Sequence, residues 1–262
     1  MHIPKRVKRG IKKIVAAMGY QISRVEAKPP TPPQPTPGSD VPTGLERSTM
    51  SAAIQSLARR LPSLATVIDI GASSGCWTDL ALREFPRSQY LLIEAQPVHV
   101  PALDQFCAAH PNVSYVPAAA GASAGQIYFY ADAPFSGQAG YKPYPANNLV
   151  VPVTTIDEEV RARKLAGPFL LKLDTHGFEV PILEGASVTL AQTEAIVIEC
   201  YNFKISPECL RFHEMCSWLE ERGFRCIDLV DVMRRPNIDA LWQMDLVFMR
   251  TDRPEFKKRP AN

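Results

Sequence analysis

The chain has 262 residues, 46% of them hydrophobic and 21% charged, values that suit one globular domain with appendages. A domain of about 200 residues buries a full core without staples, and the six cysteines form no C-x-x-C pair, so they are read as reduced packing residues of a cytoplasmic protein rather than a disulfide framework or a zinc site. Net charge is +2, yet the first 25 residues hold seven Lys and Arg and no acid, which leaves the rest at −5 and argues against a duplex nucleic-acid reader.

In chain order, residues 4–20 place Val7, Ile11, Ile14, Val15 and Met18 on one helical face and basic residues on the other. Residues 1–27 are therefore expected to form a basic amphipathic helix. It would dock on a partner protein or peripherally on an anionic membrane surface, at the inner face of the membrane, or pack on its own domain. No apolar run reaches the roughly 18 residues of a membrane span, and no unbroken apolar stretch marks a secretory signal. Residues 28–44 are a Pro-rich linker, with seven prolines between 28 and 42; such a stretch is extended and semi-rigid and forms no core. Residues 45–255 form the main domain.

Within that domain a helix is expected over 48–60, before Pro62. Thr66–Ile70 is a short β-branched apolar run, hence a buried strand. There follow a helix Trp77–Phe85, a strand Tyr90–Ala95, a helix Val98–Ala109 and a strand Val113–Pro117. Gln126–Tyr130 and Leu149–Val153 are strand candidates, then a helix Ile156–Leu165, a strand Phe169–Leu173 and a helix Pro181–Gln192. A strand Ala195–Glu199, a helix Pro207–Arg222 and strands Phe224–Leu229 and Asp245–Met249 close the series. This alternation predicts an α/β, Rossmann-like, doubly wound and mainly parallel sheet, with an antiparallel edge strand from the last pair.

In such sheets ligands bind beyond the carboxyl ends of the strands, where strand order reverses. The first strand ends at Asp69 and enters the loop Gly71-Ala72-Ser73-Ser74-Gly75 before a helix opened by Trp77. Glycines let the backbone approach a ligand, and a helix N-terminus favours a carboxylate. The second strand ends at Glu94, 23 residues after Gly71, where an acid accepts hydrogen bonds from both ribose hydroxyls. A dinucleotide fingerprint would read G-x-G-x-x-G. Here the spacing is G-x-x-x-G after an acid, which suits S-adenosylmethionine: it has no pyrophosphate, and its ammonium and sulfonium favour nearby acids.

Several further blocks stand in order: Leu92-Ile93-Glu94-Ala95, Ala118-Ala119-Ala120-Gly121, Val151-Pro152-Val153-Thr154-Thr155-Ile156-Asp157, Leu171-Lys172-Leu173-Asp174-Thr175-His176-Gly177-Phe178-Glu179, Leu183-Glu184-Gly185-Ala186 and Gln243-Met244-Asp245-Leu246-Val247-Phe248. With them, residues 66–250 resemble the FkbM-type methyltransferases, within the class I S-adenosylmethionine-dependent fold. The resemblance implies O-methylation of a hydroxyl on a sugar, glycan or secondary metabolite, without naming the acceptor. The donor residues expected on this reading are Asp69, Gly71, Ala72, Ser73, Gly75, Trp77, Glu94, Ala95 and Ala119. Many relatives carry Gln where this chain has His176, so the resemblance leaves the role of His176 open.

The donor carries its own reactivity, so the protein must mainly position the reactants and remove a proton. An alcohol is a poor nucleophile and needs a base or a metal. Lys172 and Asp174 share a face at a strand end that is otherwise apolar, with His176 just beyond; Glu199 closes the next strand. These four are the catalytic candidates. A structural salt bridge, or a helix N-cap at Asp174, would explain the first two without chemistry, and Glu179 has either a site role or only dipole compensation in a helix first turn. Asp174, His176 and Glu199 could together bind a divalent metal. Tyr128, Tyr130, Phe135, Tyr141 and Tyr144 form either an acceptor platform or the core of a small β insertion. Two readings of other classes stand beside methyl transfer: a catalytically silent nucleotide-binding or docking module, and an NAD-dependent oxidoreductase.

Overall fold

A computed structural model describes residues 48–146 and 148–257. The predicted basic helix and Pro-rich linker lie outside the described residues. The chain divides into two units, residues 1–42 with 235–240 and residues 43–234 with 241–262. Of the first, the described part is a turn in which the Asp239 N–H donates to the Arg235 carbonyl at 2.9 Å. All that follows concerns the second.

The elements are α1 (Met50–Arg60), β1 (Thr66–Ile70), α2 (Cys76–Glu84), β2 (Gln89–Ile93), a 3-10 turn (Pro97–His99) leading into α3 (Val100–Ala109), and β3 (Val113–Val116). Four short strands follow: β4 (Ala119–Ala120), β5 (Gly125–Tyr130), β6 (Gln138–Gly140) and β7 (Asn148–Thr154). The chain then runs through α4 (Ile156–Arg163), β8 (Phe169–Leu173), α5 (Glu179–Glu184), α6 (Ser187–Leu190), β9 (Thr193–Tyr201), α7 (Phe212–Glu220), β10 (Phe224–Arg235), β11 (Ala240–Arg250) and α8 (Pro254–Lys257).

The main sheet has the order β10-β11-β9-β8-β1-β2-β3. β1 pairs in parallel with β2 and β8, and β8 with β9, while β11 runs antiparallel to β9. This is the predicted Rossmann-like α/β sheet, and β11 is the antiparallel strand expected at that edge, with β10 outside it. The order reverses between β1 and β8, so the loops after these two strands diverge and open a crevice at their carboxyl ends.

Alternation along the buried strands divides the core in two. Ile68, Ile70, Leu91, Ile93, Leu171, Leu173, Ile196 and Ile198 pack with α5, α7 and the inner side of the small sheet β4-β7-β5-β6. Val67, Leu92, Leu170 and Val197 pack with α1, α2 and α3 on the other face. Each such aliphatic residue contributes about 1.5–3 kcal/mol when fully buried, which is why β1 and β8 match their expected bounds to the residue. Among the described residues no helix is long and apolar enough to cross a membrane.

The main departures from expectation are in two helices and in the last two strands, and the short strands β4 and β6 were not expected. The helix expected over Pro181–Gln192 is two short ones, α5 and α6. Asp157, in the first turn of α4, accepts from the Val188 and Thr189 N–H groups at 2.9 and 2.8 Å and so creates a new helix start at Ser187. The helix expected from Pro207 begins only at Phe212. Ser206 Oγ accepts from the Cys209 N–H at 3.1 Å and donates to the Gly177 carbonyl at 2.9 Å, which commits residues 206–209 to a turn against a distant loop. The last two strands are longer than expected, because hairpin pairing carries polar residues such as Asp231 and Arg234 into β10.

Candidate active site

Strand register builds the site. Asp69 of β1 lies directly beside Lys172 of β8, and Glu199 of β9 directly beside Asp245 of β11. Leu173 pairs with Ile198, so Asp174, one residue further, comes level with Glu199. One row across the sheet therefore carries Asp69 and Lys172, and the next carries Asp174, Glu199 and Asp245. Both rows lie on the same face, because they are two residues apart. Lys172 Nζ is 2.9 Å from Asp174 Oδ2 and 3.8 Å from Asp69 Oδ1. Asp69 is fully buried; its Oδ2 accepts from Thr78 Oγ1 at 2.7 Å, while its Oδ1 has no hydrogen-bond partner.

At the nucleotide-type end, Gly71 N–H donates to the Ile93 carbonyl at 2.9 Å, tying the loop to the end of β2. Gly71 has φ +75° and an added Cβ would overlap the Asp174 carbonyl, so only glycine lets the two diverging loops approach this closely. Gly75, also left-handed, opens α2 with no side chain capping its first-turn amides. Glu94 is held in one orientation: Oε2 accepts from the Ser73 N–H and Oε1 from the Gln96 N–H, each at 2.7 Å. Each oxygen keeps a lone pair for a further donor, which fits a ribose diol. Ala72 is buried beside this loop, and Ala95 packs against the core below it. Trp77 packs on the α1–α3 side with its Nε1 buried and without a partner. Ala119 lies in β4 of the small sheet, paired with Val153 and buried in the core.

At the other end, Asp174, His176 and Glu199 converge. His176 Nε2 is 4.0 Å from Asp174 Oδ1 and 3.9 Å from Glu199 Oε2. The three residues bring one ligand atom each within 4.8 Å of one another, a set of the kind divalent cations take. Phe178, not Asp174, is the N-cap of α5, so the bland reading of Asp174 that the geometry retains is the salt bridge. Glu179, for which the sequence allowed a site role or dipole compensation, is buried and accepts from the Gly177 N–H at 2.9 Å and Thr175 Oγ1 at 3.1 Å. It braces the turn that carries His176, which itself sits at φ +53° followed by Gly177 at φ +98°.

The cluster holds more acid than one lysine can balance. Burial opposes the charge on Lys172, but Asp174 and Asp69 outweigh it and hold the ammonium above its ordinary value. Burial likewise opposes ionisation of Asp174, and Lys172 and His176 outweigh it, holding that carboxyl below its usual range. Glu199 is pushed up to about 9 by burial and then by Asp174, and Asp245 up to about 7 by the same two causes. Gln243 Nε2 donates to Glu199 Oε1 at 2.6 Å, and the Tyr201 hydroxyl donates to Glu199 Oε2.

Asp245, Gln243 and Tyr201 thus join the candidate site through Glu199, and the sequence reading did not name them as site residues. The signal for Asp245 was a lone acid in the apolar run Leu246-Val247-Phe248-Met249, but its partner depends on the antiparallel register of β11. The five aromatics divide. The core of the small sheet is Ile127, Phe129, Ala139 and Val151 instead. Tyr128 lies on the outside of the sheet opposite Val150. Tyr130 and Tyr144 contact one another, and Tyr141 contacts Phe178. Phe135, 71% exposed, has its ring centroid 5.7 Å from that of His99, near the nucleotide-type end.

The fold and these strand-end clusters define a Rossmann-like α/β protein whose candidate site lies at the topological switch point of its sheet. The family model described as "Methyltransferase FkbM domain" matches residues 69–226. That is more than half of the chain, and the chain belongs to the FkbM methyltransferase family. No curated protein matches the chain. Among solved structures it is similar to the precorrin-6y C5,15-methyltransferase of Geobacter metallireducens at 13% identity, covering 76% of this chain and 86% of that one with a TM-score of 0.42. It is also similar to the Burkholderia thailandensis 1,6-didemethyltoxoflavin-N1-methyltransferase, which has its substrate and S-adenosylhomocysteine bound, at 12% identity, covering 79% and 80% with a TM-score of 0.42.

Proposed function

We propose that this methyltransferase uses S-adenosylmethionine and transfers the methyl group to a hydroxyl of a sugar, glycan or secondary metabolite. The observation that carries this reading is the juxtaposition at one sheet edge. The Gly71–Gly75 loop and the oriented Glu94 end β1 and β2, and the Asp174–His176–Glu199 cluster ends β8 and β9. The donor, when bound, supplies a methyl group already activated on a sulfonium sulfur. Glu94 would hold the ribose hydroxyls on its two remaining lone pairs. Gly71, Ala72, Ser73 and Gly75 would offer backbone to the amino-acid end, and the uncapped start of α2 suits its carboxylate. Asp174 and His176 are placed to orient the acceptor hydroxyl and receive its proton, with Lys172 and Glu199 fixing Asp174 between them.

A second reading of the same cluster is favoured by its three convergent ligand atoms: Asp174, His176 and Glu199 would hold a divalent cation that polarises the hydroxyl. The test is a cell extract incubated with the full chain and methyl-labelled S-adenosylmethionine, with and without EDTA. Label on oxygen of a small molecule or glycan, lost with Asp174→Ala, is the expected result. Label on nitrogen or carbon would contradict the hydroxyl acceptor. Loss with EDTA and return with Mg²⁺ would assign the cation.

A further inference from the structure

The segment 131–137, between β5 and β6, together with Gln138 at the start of β6, touches both ends of the site. Near one end the Ala133 carbonyl accepts from Gln96 Nε2 at 2.9 Å, and the Pro134 carbonyl meets the His99 ring. Gln96 and His99 belong to the stretch that follows Glu94, and the Gln96 N–H is one of the two donors that orient it. At the other end the Gly137 carbonyl lies 3.0 Å from His176 Nδ1, and Gln138 Nε2 donates to the His176 carbonyl at 2.9 Å and to the Ile205 carbonyl at 3.4 Å. The segment is fastened in its own turn by Ser136, whose hydroxyl accepts from the Ala133 N–H at 3.1 Å and bonds the Asp132 carboxylate. A Cβ on Gly137 would overlap the Phe129 ring, so glycine is what lets this backbone reach His176.

A carbonyl oxygen only accepts, so the Gly137 contact requires the proton on Nδ1. The neutral ring then carries its lone pair on Nε2, the nitrogen that faces Asp174 and Glu199. Those separations of 4.0 and 3.9 Å are too long for hydrogen bonds. They leave a place for a hydroxyl oxygen at ~2.8 Å from Nε2. Gln138 fixes the backbone of a residue held in the left-handed region, φ +53°, a conformation that persists when its surroundings over-determine it.

We propose that His176 Nε2 is the proton acceptor of the reaction, and that Gly137 and Gln138 are positioning residues that set its tautomer and aim. This rests on the methyl-transfer reading above. As the acceptor oxygen forms its bond to the methyl carbon and the carbon–sulfur bond breaks, with its electron pair remaining on sulfur, the O–H proton passes to Nε2. The imidazolium then lies between the Asp174 and Glu199 carboxyls, with Glu179 beneath the turn.

The test is ¹⁵N NMR of histidine-labelled full chain, with His176 assigned by comparison with His176→Gln. The expected result is a protonated Nδ1 and an unprotonated Nε2 in neutral wild-type His176, and a mixture of tautomers in Gln138→Leu. A wild-type Nε2–H tautomer would overturn the proposal even if the variant fails to fold. So would selective broadening of His176 by Mn²⁺, which would give Nε2 to a cation. In the labelled-extract assay, His176→Gln is expected to lower transfer ~100-fold and Gln138→Leu about 10-fold, with donor affinity by calorimetry unchanged in both. Full activity of His176→Gln would sink the assignment. Absence of donor binding by wild type would instead strike the methyl-transfer reading.

Discussion

At the residue scale the site is a problem of charge crowding. Asp69, Asp174, Glu199 and Asp245 surround one lysine at the end of the sheet, and three of the four carboxyls, all but Asp174, answer by becoming hard to ionise. Asp245, at about 7, shows the consequence for stability. A carboxyl whose folded value exceeds its unfolded one, about 4, contributes fully below that unfolded value. Its contribution falls as pH rises and is gone above about pH 7. Asn at this position cannot ionise. Asp245→Asn is therefore expected to gain stability relative to wild type between pH 5 and pH 8, measured by chemical denaturation at both; parallel pH curves for the two proteins would contradict the account. Gly71→Ala should cost at least about 2 kcal/mol, since the new Cβ meets the Asp174 carbonyl in a left-handed backbone. Equal denaturation midpoints for Gly71→Ala and wild type would show that the two loops need not approach so closely. The acids Asp69, Asp174 and Glu199 were legible in the sequence because each interrupts or ends an apolar strand. Asp245, Gln243 and Tyr201 were not, because no local pattern states that β11 lies antiparallel beside β9 in the register that sets Asp245 against Glu199.

Elements show the same division between local and distant causes. β1 and β8 announce themselves as runs buried on both faces, and the glycine after β1 marks where it stops. The split between α5 and α6 has no such local mark, because its cause sits thirty residues upstream. Asp157 accepts from Val188 and Thr189 N–H and from the Thr189 hydroxyl, which also holds its own carboxyl below the ordinary range in spite of burial. Asp157→Ala is expected to cost about 1–2 kcal/mol, the usual loss of a helix cap, and to raise amide exchange over 187–190 while leaving β8 protected. Unchanged exchange at Val188 and Thr189 would show that α6 stands without the cap. The late start of α7 has the same origin, since Ser206 is occupied by Gly177. The aromatic stretch from β5 to β7 resolved into a small sheet whose core is Ile127, Phe129, Ala139 and Val151 rather than the tyrosines, plus a connecting segment against both ends of the site, an outcome that composition left open.

At the scale of the whole sheet, mainly parallel strands bring the Gly71–Gly75 loop and the Asp174–His176–Glu199 cluster to the same strand ends, on loops that diverge between β1 and β8. A ligand that binds the folded chain alone raises its stability in proportion to the logarithm of its concentration over Kd. S-adenosylmethionine should therefore raise the unfolding temperature in a concentration-dependent way, and NADH should not. The measurement that bears most directly on the central claim is isothermal calorimetry of S-adenosylmethionine and S-adenosylhomocysteine against the full chain and Glu94→Ala. The account expects one site per chain in wild type and an affinity lower by about 10- to 100-fold in the variant, whose ribose partner is gone. No binding of either compound to wild type, or equal binding to both proteins, would contradict it.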